Sequence, residues 1–182
     1  MHHGINTAYH PRLRRIHDSP PIYEMEGFLS KRACRELIEN ARPHMKPSPV
    51  VQLGGQQEES RGANALVRTS SSSFLPPAAF PKLLRKICAL TGKAAHCCEP
   101  IQVGHYRTGQ FYKEHYDSVD PHTPLGRAFV RNGGNREITV LVYLNTPARG
   151  GGTYFPRLGL RVRPRRGAAL IFFPAYTDGT VD

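Results

Sequence analysis

The chain reads as an α+β protein, a mainly antiparallel sheet or sandwich flanked by N-terminal helices. Helical spacing of apolar residues is confined to its first half, and strand-type alternation with β-branched runs fills the second. Helix and strand signals never alternate, which excludes a doubly wound parallel fold. With 182 residues the chain has room for one domain, since a domain takes ~150 residues. At that size roughly 70% of the unfolded surface is buried. Hydrophobic residues make up 39% and charged residues 21%, too apolar and too mixed for a disordered tail.

Residues 1–21 mix His, Arg and Pro without periodicity and are expected to form a loose arm before a domain at 22–182. Ile22 to Met25 has the composition of a strand. Ser30 then offers an N-cap, and Ala33, Cys34, Leu37, Ile38 and Ala41 recur at helical spacing until Pro43 stops the run. From Lys46 to Ala63 the residues turn to Pro, Gly, Gln and Glu, the composition of a loop. A second helix is predicted from Pro81, with Leu83, Leu84, Ile87 and Cys88 inward and Thr91-Gly92 closing it. Strands are predicted at Glu99 to Tyr106, Ile138 to Leu144, Leu160 to Arg163 and Ala168 to Phe173. Glycine and proline separate the later ones at Gly133-Gly134, Pro147 to Gly152 and Pro164 to Gly167.

Lys and Arg number 25 against 14 acids, a formal charge of +11 that favours acidic partners: nucleic acid, a membrane surface or acidic peptide. No acid occurs between Glu137 and Asp178, where Arg149, Arg157, Arg161, Arg163, Arg165 and Arg166 all lie. A strand there would put Arg161, Arg163 and Arg165 on one face. A solvated face is the expected reading, because no zinc-finger spacing, RNA-binding aromatic motif or helix-turn-helix pattern supports nucleic acid. No apolar run approaches the ~20 residues of a membrane span, and Met1-His2-His3-Gly4 lacks the apolar region of a signal peptide. The cysteines, Cys34, Cys88, Cys97 and Cys98, fit no zinc template and are expected to be free, mostly buried thiols.

The chemistry concentrates in Tyr106-Arg-Thr-Gly-Gln-Phe-Tyr-Lys-Glu-His115-Tyr-Asp117. On an extended segment His115 and Asp117 point to one face. An imidazole nitrogen and a carboxylate oxygen so placed are half of a 2-His-1-carboxylate facial triad, the donor set of non-haem iron. By itself His-x-Asp is a weak signal, and an ordinary His and Asp on a solvated strand end would look the same.

The neighbouring motifs are more specific. The segment Tyr106 to Asp117 resembles the Tyr-x-x-Gly-Gln-x-Tyr-x-x-His-x-Asp signature of the prolyl 4-hydroxylase family of iron- and 2-oxoglutarate-dependent dioxygenases. Arg136-Glu-Ile-Thr139 followed by Tyr143-Leu144-Asn145 is similar to its next strand, and Gly151-Gly152-Thr153-Tyr154-Phe155-Pro156 to its Gly-Gly-x-Thr-x-Phe-Pro turn, one residue shorter with Gly151-Gly152 as the pair or of full length with Gly150 as the first glycine. Val67 to Ser70, Glu99 to Val103, Val162-x-Pro164 and Gly167 to Phe172 also match, in order, from about Phe28 onward. The family's fold is a double-stranded β-helix, a jelly-roll or cupin-like antiparallel core, here expected to lack its last strands. The resemblance implies His115 and Asp117 as iron(II) ligands, and Tyr106, Thr153 and Tyr143 around the distal carboxylate of 2-oxoglutarate. It places Arg68, Glu99, Tyr112 and Arg136 around a groove for a proline-containing peptide or protein substrate. Ascorbate would restore iron oxidised in uncoupled turnover. A structural pairing of Arg68 and Arg136 with Glu99, and a purely core Tyr143, remain open beside these roles. Family members often reside in the endoplasmic reticulum, which leaves the compartment of this chain open.

A facial triad needs a second histidine, which the family carries after a turn resembling Asp178 to Asp182, followed later by a Lys that pairs with 2-oxoglutarate. Both fall past the last residue. His105 alternates away from Tyr106 and His122 lies in the Gly- and Pro-rich segment Ser118 to Asn135, read as a flap over the substrate or a surface loop. The expectation is therefore a catalytic domain truncated at its C-terminus, with weak or no activity as it stands. The competing readings are a proline-rich-peptide-binding module of the same fold and, on the arginines alone, a dioxygenase acting on nucleic acid.

Overall fold

A computed structural model describes residues 4–7, 11–49, 67–131 and 133–182. Nine strands and three α-helices are named here: β1 (Leu13–His17), β2 (Ile22–Met25), α1 (Lys31–Ala41), β3 (Lys46–Pro47), β4 (Ser71–Leu75), α2 (Pro81–Thr91), β5 (Ile101–His105), α3 (Pro124–Val130), β6 (Thr139–Val142), β7 (Thr153–Phe155), β8 (Leu160–Val162) and β9 (Ala169–Phe172). They form a four-stranded sheet in the order β1-β2-β9-β6, a three-stranded sheet β3-β4-β5 and a ribbon β7-β8. Every pairing is antiparallel, so the fold is mixed helix and antiparallel sheet as the order of signals predicts.

The apolar run at β9 follows from its position between β2 and β6, buried on both faces. Ala169 and Ile171 face the larger core, where α1 contributes Cys34, Leu37 and Ala41, and α2 contributes Leu83 and Leu90. Ala168 and Leu170 face the other way, into a smaller core with Ile22, Tyr143 and Val162 that the β7-β8 ribbon covers. The Ser30 hydroxyl accepts from the Ala33 amide at 3.2 Å and caps α1, and Gly92 at φ 69° ends α2 in the left-handed region. A turn then locks α1 to the sheet. The Leu29 amide donates to the Gly167 carbonyl at 2.9 Å, Gly167 has φ 83°, and a Cβ there would collide with the Leu29 carbonyl.

The register of the four-stranded sheet lays out one face. Thr139 lies opposite Phe172, and Leu141 is in line with Leu170 and Glu24. Beyond the end of β6, the Tyr143 amide donates to the Ala168 carbonyl at 2.9 Å. Thr139, Leu141 and Tyr143 therefore share a face, the one turned to the β7-β8 ribbon. On it Glu24 is paired with Arg14 across β1-β2 at 2.7 Å.

Several expectations are corrected. The loose arm contains β1, whose Leu13 to His17 pair with β2; the five residues Leu-Arg-Arg-Ile-His show no strand alternation that would distinguish them from a tail. Ser71–Leu75 is a central strand although serine is a poor strand former, since pairing on both sides overrides propensity. Thr153–Phe155, expected as part of a turn, is the strand β7. The loop expected at Lys46 to Ala63 begins with β3, and residues 50–63 lie outside the described residues. The segment Ser118 to Asn135 contains helix α3, capped by Thr123, instead of being loop throughout. In α2 it is Leu83 and Leu90 that are buried, with Leu84, Ile87 and Cys88 at half depth. Arg161, Arg163 and Arg165 do not share a strand face, because β8 ends at Val162. Instead, Arg161 stacks on Tyr154 and Arg165 pairs with Glu26. The cysteines are free, but only Cys34 is buried.

Candidate active site

The segment carrying His115 and Asp117 crosses between the two larger sheets. Upstream it is held against the segment that leads into β4: the Lys113 amide donates to the Val67 carbonyl at 2.8 Å and the Thr69 amide to the Phe111 carbonyl at 2.9 Å. The Gln110 side chain fastens the preceding turn, donating to the Thr69 carbonyl at 2.6 Å and accepting from the Arg107 amide at 2.7 Å. Downstream, the Thr139 hydroxyl at the start of β6 donates to Asp117 Oδ2 at 2.8 Å, and Arg136 donates to the Asp117 carbonyl at 3.1 Å.

These anchors bring His115 Nε2 to 3.3 Å from Asp117 Oδ1. His115 Nδ1 lies 2.7 Å from the Lys113 carbonyl, which can only accept, so Nδ1 carries a proton. In the imidazolium form Nε2 donates to Asp117. In the neutral form an imidazole lone pair and a carboxylate face one another, an arrangement that a cation between them satisfies. Burial pushes the Asp117 carboxyl up, but hydrogen bonds from His115 and Thr139 and the charges of His115 and Arg136 outweigh it, so the group sits below the ordinary carboxylate range. The donor chemistry, one imidazole nitrogen and one carboxylate oxygen, fits iron(II) as two ligands of a facial triad. Among the described residues no group of three His, Cys, Asp or Glu side chains converges to complete it.

The predicted groove residues gather around this pair. Arg136 makes a two-pronged ion pair with Glu99, Nε to Oε1 at 2.7 Å and Nη2 to Oε2 at 2.9 Å, and stacks on Phe129 of α3. Arg68 is not the partner of Glu99. It lies over the Tyr112 ring and donates to Ser70 Oγ at 3.0 Å. Tyr112 is stacked on His115.

The predicted co-substrate residues are only partly assembled. The Tyr143 and Thr153 hydroxyls are 2.7 Å apart, joining β6 to the ribbon at the opposite end of the face from Thr139. Tyr143 is 8% exposed and belongs to the smaller core, and burial raises its hydroxyl above the usual range against the hydrogen bond from Thr153. Tyr106 is 42% exposed beside Gly104 and, among the described residues, shares no hydrogen bond with Tyr143 or Thr153.

Sequence reasoning passed over two contributors. Thr139 was visible as the threonine of Arg-x-x-Thr on the inward face of β6, yet only the fold sets it against Asp117. The Lys113 carbonyl carries no side-chain signal at all. An open cleft of about 420 Å³, which neither His115 nor Asp117 lines, is bounded by Tyr116, Ser118, Asp120, Arg157, Val181 and Asp182.

The sequence profile of the 2OG-Fe(II) oxygenase superfamily matches residues 101–178, the stretch that holds both candidate ligands. "Probable prolyl 4-hydroxylase 10" of Arabidopsis thaliana is 34% identical over 178 residues, covering 86% of this chain and 58% of that protein. "Prolyl 4-hydroxylase 1" of the same plant is 33% identical over 182 residues, covering 90% and 61%. The chain thus spans about three fifths of these relatives. Among solved structures, the viral collagen prolyl hydroxylase vCPH of Paramecium Bursaria Chlorella virus-1, determined as a 2OG complex, superposes with a TM-score of 0.59 at 24% identity, covering 88% of this chain and 81% of that one. That likeness establishes a shared fold.

Over residues 101–178 the chain is similar to the 2OG-Fe(II) oxygenase superfamily. The relatives it resembles, at about a third identity, are named as prolyl 4-hydroxylases.

Proposed function

We propose that the chain is the core of a peptidyl-proline 4-hydroxylase whose antiparallel sheets belong to a double-stranded β-helix. The observation that carries this reading is the His115–Asp117 pair at 3.3 Å, pinned by the Thr139 hydroxyl and the Lys113 carbonyl at the rim of the sheets. His115 and Asp117 would hold iron(II), which together with 2-oxoglutarate supplies the oxygen-activating chemistry of the class. Thr139 fixes the Asp117 carboxylate, and Arg136 fixes the backbone on the far side of it. Tyr143, Thr153 and Tyr106 are the hydroxyl donors for the distal carboxylate of 2-oxoglutarate, able to satisfy a buried carboxylate without competing for the metal. Arg68, Glu99, Tyr112 and Arg136 frame the peptide, and ascorbate keeps the metal reduced.

With two donors converging among the described residues, the 182-residue chain alone is expected to hold iron weakly and to turn over little. Succinate release from 2-oxoglutarate, with iron(II), ascorbate and a proline-rich peptide, measures this. Background-level release from the chain alone, and stimulation once an extended form supplies a further histidine, is the expected pattern; robust turnover by the 182-residue chain would overturn the impairment. The same incomplete donor set favours a second reading, a peptide-binding module without chemistry. Peptide binding by the chain with no hydroxylation by any extended form would select it. Action on nucleic acid is not favoured, because Arg161 stacks on Tyr154 and Arg165 pairs with Glu26.

A further inference from the structure

Tyr112 is packed onto the candidate metal pair itself. Its ring is nearly parallel to the His115 imidazole, with centroids 3.6 Å apart and planes 14° from coplanar. A ring that close fills one face of the phenol. The Arg68 guanidinium, 4.4 Å from the same centroid, therefore covers the other. Backbone pairing sets the order of the layers, since Arg68 and Tyr112 form an antiparallel bridge between hydrogen bonds from Lys113 to Val67 and from Thr69 to Phe111. At its edge the imidazole is held by the Lys113 carbonyl, which fixes the proton on Nδ1 and leaves Nε2 turned toward Asp117.

We propose that Tyr112 and Arg68 are positioning residues for His115. The guanidinium–phenol–imidazole stack, with the Lys113 carbonyl, holds the imidazole in the orientation and tautomer that present Nε2 beside Asp117. This rests on the reading of His115 and Asp117 as metal donors, and it adds to the peptide-groove role. With both faces of its ring covered, Tyr112 has only its hydroxyl edge left to meet a peptide. The His115 side chain is 35% exposed, so its own burial does little to stop the ring turning about Cβ–Cγ. One hydrogen bond restrains one edge, and a parallel neighbour restrains the plane. Groups that orient a ligand from behind set metal affinity strongly, typically by 10- to 100-fold.

The test uses the 182-residue chain with Tyr112→Phe, Tyr112→Leu and Arg68→Met. Long-range proton–nitrogen spectra of the His115 side chain, recorded without metal across a pH series that reaches the neutral imidazole, read the tautomer and the ring-current shift of the imidazole protons. Wild type and Tyr112→Phe should show an Nδ1-protonated, upfield-shifted ring. Tyr112→Leu should lose the shift and populate both tautomers, with Arg68→Met in between. Co(II) titration is the second arm: Tyr112→Leu should weaken binding about tenfold or more, while Phe restores it. Tyr112→Leu that folds yet keeps the wild-type tautomer and Co(II) affinity would overturn the positioning role. Should Leu not fold, Arg68→Met decides the question: a reduced ring shift supports the stack, and a wild-type shift and tautomer overturn it. Failure of the wild-type chain to take up Co(II) at His115 and Asp117 overturns the metal reading instead, while the tautomer arm still decides the stack.

Discussion

At the scale of the residue, the candidate site depends on who holds the donors. Asp117 has one oxygen toward His115 and the other on the Thr139 hydroxyl, so its carboxylate cannot rotate freely. Thr139→Val keeps the β-branched shape that a strand favours and removes only the donor. It should weaken Co(II) or iron(II) binding about tenfold and leave unfolding nearly unchanged, both measurable by titration and by urea denaturation. Unaltered metal affinity would mean that Asp117 is held by His115 and Arg136 alone. The Arg136–Glu99 pair is of a different kind. Its guanidinium and carboxylate are both substantially exposed, so it stabilises the fold by at most about 1 kcal/mol. Its value lies in the position of the two groups beside Asp117. Both arginines and Glu99 could be picked out by motif, but the choice between them as partners could not: Arg136 takes the carboxylate and Arg68 takes an aromatic face.

At the scale of the element, the junction between α1 and β9 is the least tolerant point. Gly167 combines a positive φ with a backbone approach that leaves no room for a Cβ, and the central strand starts two residues later at Ala169. Gly167→Ala is expected to destabilise by on the order of 3 kcal/mol, from backbone strain plus collision, seen as a lower urea midpoint with an unchanged slope. A loss under about 1 kcal/mol would show that the turn relaxes. The helices were legible because capping and period coincide: Ser30 before Ala33, Cys34 and Leu37, and Gly92 after Leu90. Strands β1, β4 and β7 were not. Each is short, and Ser71–Leu75 in particular owes its strand geometry to β3 and β5 rather than to its own residue types.

At the scale of the molecule, one strand serves both cores. Ala169 and Ile171 belong to the helix-side cluster, Ala168 and Leu170 to the ribbon side, so loosening either should loosen both. Ile171→Ala and Leu170→Ala are each expected to cost about 2–5 kcal/mol within a single cooperative transition. Two separated transitions, followed by circular dichroism and tyrosine fluorescence, would show that the ribbon unfolds on its own. The same sheet carries the Thr139–Asp117 contact at one end and Tyr143–Thr153 at the other, so core stability and site geometry are coupled through β6. Several of the arginines are engaged locally, on Tyr112, Tyr154, Tyr116, Glu99 and Glu26.

The sequence by itself determined the class of fold, the two capped helices, the apolar central strand and the His115-x-Asp117 pair, because period, capping and close spacing are local properties that a chain displays without folding. Only the tertiary structure decided that Thr139 and the Lys113 carbonyl hold the pair, that Tyr112 stacks on His115, that Arg136 rather than Arg68 takes Glu99, and that Tyr143 meets Thr153. Those contacts join residues from different strands and loops. Their distances follow from sheet register and from what the neighbouring elements leave room for, which no window along the chain contains.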